Sequence, residues 1–267
     1  MSRARLWAAA LLLALACAGV AAGTGSAGTA LTTEVSSNWA GYAVSGASSP
    51  FTSVSGSWTV PTATCTAGSR TYSAFWVGLG GFGSSSDSLE QGGTSSDCTA
   101  AGTARYTVWY ELVPTASKRV RLSVRAGDVV SASVAVSGQT VVVHLRNVTR
   151  GTSFAKTLHM SSPDVSSAEW IAEAPSAWDG RSYRTLPLTD FGTVTFRRTT
   201  ATAGGHTGTI ADAAWTATAV ELGGTSGGGP GPFAAYASSA GAVPGALSRT
   251  GSAFSVTWRQ GTATLRP

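Results

Sequence analysis

Val129-Val130-Ser131-Ala132-Ser133-Val134-Ala135-Val136 and, after a three-residue gap, Thr140-Val141-Val142-Val143-His144-Leu145 decide the fold. Each run is short and rich in β-branched residues. The first alternates apolar with small polar side chains, the period of a strand buried on one face. The same pattern recurs at Val54–Val60, Tyr72–Gly78, Tyr106–Val113, Val120–Val124, Glu169–Ala172, Thr193–Phe196 and Ala253–Trp258, with Gly, Ser, Pro and Thr clusters between. No window sustains a long helical period, and only Ala211–Leu222 is ambiguous. Many short strands separated by turn residues predict an all-β chain folded as an antiparallel sandwich or barrel.

Outward from that core, the sequence is poor in charge. Of 267 residues, 43% are hydrophobic and 12% charged, the latter about half the usual share. Enough apolar residues are present to exclude a disordered chain. Residues 1–22 read as a secretory signal peptide: Arg3 and Arg5, an apolar run from Leu6 to Val20, then Val20-Ala21-Ala22 as a small-x-small cleavage pattern. That run is too short for a convincing span, so no membrane association is expected after its removal. Residues 23–36 form a short lead-in and 37–267 one domain, interrupted by a Gly-rich stretch, 223–245, read as a long loop. Without Arg3 and Arg5, 16 basic residues face 13 acidic ones, a balance of about +3. No stripe of interleaved basic and aromatic residues marks a nucleic-acid surface. Removing the leader also removes Cys17. The remaining pair, Cys65 and Cys98, predicts one disulfide in an exported protein, with two free thiols as the alternative. Asn147-Val148-Thr149 is an N-glycosylation sequon.

Thirteen carboxylates and three histidines leave few places for acid–base chemistry. Gly224-Thr225-Ser226-Gly227-Gly228 fits G-x-S-x-G, but Gly229-Pro230-Gly231-Pro232 follows it and cannot start the helix a nucleophile elbow needs. His144, His159 and His206 are isolated, so no metal site and no cofactor are expected. Glu169-Trp170-Ile171-Ala172-Glu173 is more informative. Even spacing on a strand sends both carboxyls to one face, which is costly unless that face is wet or functional. Such a pair suits a salt-bridged surface, or a retaining glycoside hydrolase on a lectin-like sandwich. Glu111 lies in an aromatic run, and Gln91 ends a strand beside Gly92-Gly93.

Taken in order, these segments resemble the glutamic peptidases of the eqolisin group, family G1. Ser37-Asn38-Trp39-Ala40-Gly41 resembles S-N-W-A-G, and Val54 to Pro61 resembles V-x-G-x-[WF]-T-V-P. Ala74-Phe75-Trp76-Val77-Gly78-Leu79-Gly80-Gly81 is similar to A-W-V-G-I-D-G, and Leu89-Glu90-Gln91-Gly92-Gly93 to L-Q-T-G. Tyr106 to Pro114 resembles Y-D-A-W-Y-E-W-Y-P, and Ala168 to Glu173 resembles A-E-W-I-V-E. Phe191 to Phe196 and Ser255 to Trp258 match downstream strands. The resemblance implies a concanavalin A or lectin-like jelly roll with Gln91 and Glu173 as the catalytic pair on its concave sheet. Glu169 then has a supporting role, and Trp39, Trp76 and Glu111 line the substrate cleft.

What the resemblance further implies is a secreted endopeptidase, acting as a monomer on protein or peptide substrates at acidic pH. In that chemistry Glu173 is a general base for water, and Gln91 holds the water and donates to the oxyanion. The alternatives are a non-catalytic, lectin-like sandwich that binds carbohydrate or peptide, and a glycoside hydrolase on the same fold. The sequence departs from the family pattern at Gly80 and Thr107, where Asp is usual, and at Leu112-Val113 in place of an aromatic pair.

Overall fold

The computed structural model describes residues 31–83, 88–223 and 240–261. Residues 1–22, expected to be a signal peptide, part of the expected lead-in, Ser226 and most of the Gly-rich stretch lie outside those residues. Among the described residues there are strands and no helix. In chain order they are β1 (Thr32–Ser36), β2 (Trp39–Ser45), β3 (Phe51–Thr59), β4 (Ala74–Gly80), β5 (Leu89–Cys98), β6 (Ala104–Val113), β7 (Thr115–Arg119), β8 (Val129–Ser137), β9 (Thr140–Asn147) and β10 (Thr152–His159). There follow β11 (Ser167–Glu173), the short hairpin β12 (Ser176–Trp178) and β13 (Tyr183–Thr185), then β14 (Thr193–Ala203), β15 (His206–Gly208), β16 (Thr216–Leu222), β17 (Gly241–Pro244) and β18 (Ala253–Arg259).

Hydrogen bonding runs without a break along β10-β9-β8-β3-β14-β18-β17-β16-β2-β11-β4-β5-β6-β7, every neighbouring pair on that path antiparallel. The path rolls back on itself, so that β3, β8 and β9 lie against β11, β4 and β5 as the two layers of a sandwich. Val130, Ala132, Val134 and Val136 of β8, and Val141, Val143 and Leu145 of β9, point into the core and their alternates point out. That is the alternation read from the opening stretch. Two tryptophans bridge the layers by hydrogen bonds: Trp58 Nε1 donates to Thr94 Oγ1 at 2.9 Å, and Trp170 Nε1 to the Ser55 carbonyl at 2.7 Å. Both rings are buried, which satisfies their polar ends inside an apolar layer. Trp170→Ala is expected to cost about 3–5 kcal/mol as a large-to-small core change.

Cys65 and Cys98 form the expected disulfide, closing 33 residues between the chain that follows β3 and the end of β5. Several stretches differ from the sequence reading. Val120–Val124, read as a strand, is irregular chain after β7, and Gln91, read as the end of a strand, stands near the start of β5, which runs on through Gly92-Gly93. The ambiguous Ala211–Leu222 resolves into a turn and the strand β16. The strand pairs with β2 and β17, its Ala217, Ala219 and Leu222 enter the core, and β1 from the lead-in pairs parallel with it. Gly241–Pro244, inside the Gly-rich stretch, is β17, and it closes the gap between β16 and β18. The sequon asparagine is structural: Asn147 is fully buried, and its Nδ2 donates to the Ser123 carbonyl and to Asp128 Oδ2.

Candidate active site

Alternation along β11 divides its residues between two faces. Ala168, Trp170 and Ala172 enter the core, whereas Glu169, Ile171 and Glu173 turn to the opposite, outward face of that layer. Strand register extends this face across the sheet. Ile171 pairs with Trp76, Trp76 with Gly93, and Gly93 with Trp109. One row away, Glu169 pairs with Gly78, Gly78 with Gln91, and Gln91 with Glu111. Gln91, Glu111, Glu169 and Glu173 therefore share one face, as do Trp39 and Trp76. Glycine is required at the centre of this face, since a Cβ on Gly93 would lie 2.1 Å from the Phe75 carbonyl oxygen and 2.7 Å from the Trp76 Cβ.

Glu173 sits at the end of β11 with its carboxyl held on both sides. Trp76 Nε1 donates to its Oε2 at 2.7 Å and Asn38 Nδ2 to its Oε1 at 3.1 Å. Burial nevertheless pushes its pKa up to about 7; the Glu111 charge adds to the rise and the Trp76 and Asn38 hydrogen bonds oppose it. Gln91 is buried, its Nε2 donating to Glu111 Oε2 at 2.9 Å. That bond fixes which way the amide points. It leaves one N–H of the amide and the whole of Oε1 for another molecule; Oε1 is buried and has no partner among the described residues. Burial also raises the pKa of Glu111.

The aromatic residues divide by role. Trp39 is half-buried and packs edge-on against Trp76, ring centroids 5.0 Å apart. Trp76, expected to line the substrate cleft, is fully buried, so its contribution is the hydrogen bond that positions Glu173. Asn38 is a hydrogen-bond partner of Glu173 to which the sequence alone assigned no role, although it stands inside the Ser37–Gly41 motif. Trp109 lies on the same face, its indole N–H buried with no acceptor among the described residues.

Glu169 is not on a wet surface. It is fully buried, neither oxygen has a donor within hydrogen-bond distance among the described residues, and its pKa stands well above the ordinary range through burial and the nearby Asp164 and Glu90. Glu90 is equally buried, accepts from the Asp164 backbone N–H at 3.2 Å, and is pushed up to about 8 by burial. Nothing in the sequence distinguished Glu90 from a surface acid. A sealed Glu169 offers no sugar ring access to both carboxyls, which removes the arrangement a glycosidase needs. The histidines also stay apart: His144 and His159 are exposed on β9 and β10, and His206 Nε2 lies 3.0 Å from Asp212 Oδ2. No group of three metal-ligating side chains occurs among the described residues.

A β-sandwich with a carboxyl and a primary amide placed on one sheet face defines a class of hydrolase, and comparison with known proteins gives its family. The model of the Peptidase A4 family matches residues 37–226. Aspergillopepsin-2 of Aspergillus niger is 30% identical over 200 residues, covering 65% of this chain and 67% of that protein. Among solved structures, scytalido-glutamic peptidase with a transition state analog inhibitor superposes with a TM-score of 0.65 at 24% identity, covering 84% of this chain and 98% of that one. SCP-B, described as a member of the eqolisin family and bound to the tripeptide Ala-Ile-His, gives 0.58 at 22% identity over 84% of this chain and 98% of that one. The chain belongs to the Peptidase A4 family, the eqolisin glutamic peptidases, and is a peptidase.

Proposed function

We propose that the protein is a secreted, monomeric endopeptidase in which Glu173 and Gln91 together activate water against the peptide bond of protein and peptide substrates. The observation that carries this reading is the contrast between the two side chains. The Glu173 carboxyl is oriented by Trp76 and Asn38, while Gln91 keeps a buried carbonyl oxygen and one N–H uncommitted. Ionised Glu173 takes a proton from water as that water attacks the scissile carbonyl, then passes it to the leaving amine. Help of this kind is worth roughly 10²–10⁴-fold. The carbonyl of Gln91 accepts from the attacking water, and its free N–H donates to the oxyanion, a contribution of about 2.7–4 kcal/mol. Glu111 keeps the amide from flipping. The peptide based transition state analog bound to scytalido-glutamic peptidase in a second structure and the tripeptide bound to SCP-B support a peptide as the substrate class. Secretion rests on the leader at 1–22 and agrees with the Cys65–Cys98 disulfide.

A base with a pKa of about 7 is about 1% ionised at pH 5, so activity is expected to fall steeply in acid and to rise through mildly acidic solution to a plateau above neutrality. The test is hydrolysis of denatured protein by purified wild type, Gln91→Ala and Glu173→Gln, with near-ultraviolet circular dichroism to establish that each is folded. Each variant is expected to lose at least about 10²-fold in kcat. Wild-type rates in both folded variants would sink the assignment.

A further inference from the structure

The row of the sheet that contains Glu173 continues across small side chains towards β7. Glu173 on β11 pairs with Ala74 on β4, Ala74 with Ser95 on β5, and Ser95 with Thr107 on β6. These three side chains are small, and Ser95 and Thr107 are partly exposed. The neighbouring row of Trp76, Gly93 and Trp109 ends at Arg119 on β7, which pairs with Trp109. Beyond Arg119, the Val120 N–H donates to the Val108 carbonyl at 2.9 Å, so pairing runs one step further and brings Arg121 beside Thr107. Val120 and Leu122 belong to the core, which turns Arg121 to the face that Glu173 occupies.

Arg119 and Arg121 are exposed and have no carboxylate within 4.0 Å among the described residues; with Ser123, Tyr106 and the core-facing Val120, Leu122 and Val124 they line an open hollow of about 570 Å³ beyond the last strand of this row. Arg105, nearby on the same face, is different: it pairs in register with Asp97 and shares its charge. Trp109, with a buried indole N–H that has no acceptor among the described residues, lies beside Arg119. One face of the sheet therefore carries both the Glu173 carboxyl and two guanidiniums without a carboxylate partner, each a forked donor matched to a carboxylate.

We propose that Arg119 and Arg121 form an anion-binding subsite of the cleft that selects peptides with an Asp or Glu side chain some way along from the scissile bond. The distance follows from the sheet. Four strand spacings separate Glu173 from Arg121, about 19 Å between backbones, and the arginine side chain spans about a third of that. What is left corresponds to about three to four residues of extended peptide. The inference rests on the placement of bond cleavage at Glu173.

The test uses matched fluorogenic peptides carrying Asp or Asn in turn at every position from four before to four after the cleaved bond. At pH 6 and low salt, one position three or four residues from the bond is expected to favour Asp by about fivefold in kcat/KM, carried by KM. The preference falls to one in Arg119→Gln/Arg121→Gln, shrinks in high salt, and vanishes at pH 3, where the substrate carboxyl is protonated. Equal rates for Asp and Asn at every position, or a preference that survives in the double variant, would overturn the subsite. Cleavage of no peptide at all would instead remove the peptidase placement. Equilibrium binding of the same peptides to the Glu173→Gln protein reads the subsite without chemistry and keeps these two failures apart.

Discussion

The acids of this protein fall into two groups with opposite electrostatics. Asp128, Asp179 and Asp212 lie in turns, hydrogen-bonded by backbone N–H groups and by Arg150, Arg184 and His206 respectively, and all three titrate below their ordinary value. Glu90, Asp97, Glu111, Glu169 and Glu173 lie on β5, β6 and β11, buried in the layer that bears the site, and all five titrate above it, with burial the leading cause. The first group stabilises the fold as anions. The second is accommodated most easily as neutral acids, and in the proposed mechanism one member, Glu173, has to ionise. Low charge is thus concentrated tension in one half of the molecule and ordinary ion pairing in the other.

Among the acids, the largest expected effect on stability comes from breaking the first group at its most buried member. Asp128 is 2% exposed and receives Arg150 Nε at 2.7 Å and Asn147 Nδ2 at 2.8 Å. Asp128→Ala is expected to destabilise by about 3 kcal/mol, because it strands a buried amide and a half-buried guanidinium. Chemical denaturation at pH 6 measures this, and a change under about 0.5 kcal/mol would show that the network is no anchor. An isosteric change in the second group has the opposite sense. Glu90→Gln at neutral pH removes a group that prefers to be protonated and is expected to raise Tm.

That second effect has a defined pH window. Glu90 rises from an ordinary 4.5 to about 8, and Asp97 from 3.8 to about 6. Between those limits the folded state holds more protons than the unfolded one, so stability is fully present at low pH and is lost as pH rises. Tm is expected to be highest near pH 4 and to fall by several degrees by pH 8, at roughly 2–4 °C per kcal/mol. In Glu90→Gln the decline should be shallower. A Tm that climbs from pH 4 to pH 8 would contradict the assignment of these groups as buried acids.

The same contrast explains what the sequence made legible. Period-two runs such as Val129–Val136 identified the strands because burial on one face leaves a local signature. The Glu169/Glu173 spacing showed a shared face for the same reason. Burial of Glu90 and Glu169 was not legible: it depends on β4 and β5 arriving alongside β11, contacts remote in sequence. The tie between Asn38 and Glu173 spans 135 residues, and no window along the chain contains it. Gly241–Pro244 escaped notice because four residues ending in proline carry no period, and only the flanking strands β16 and β18 make them a strand.

The smallest predicted effect is the most discriminating, because it separates the charge of Glu111 from its hydrogen bond. The acid limb of kcat/KM reports ionisation of Glu173 in the free enzyme, rising about tenfold per pH unit up to about 7 and levelling above. The Glu111 charge contributes to that raised value, while Glu111 Oε2 also anchors the Gln91 amide at 2.9 Å. Glu111→Gln removes the charge but keeps a carbonyl acceptor in the same place. The apparent pKa of the acid limb is expected to move down by a few tenths of a unit to about one unit, the size of a like-charge effect at this range, with kcat on the plateau changed far less. Glu111→Ala removes both functions and should lower kcat while shifting the limb similarly. If Glu111→Gln left the limb in place and lowered only the plateau, Glu111 would be an anchor for Gln91 with no electrostatic hold on the base. The raised pKa of Glu173 would then be the work of burial alone, and the opposition between ionising the base and keeping its half of the sheet stable would lie in the strands themselves.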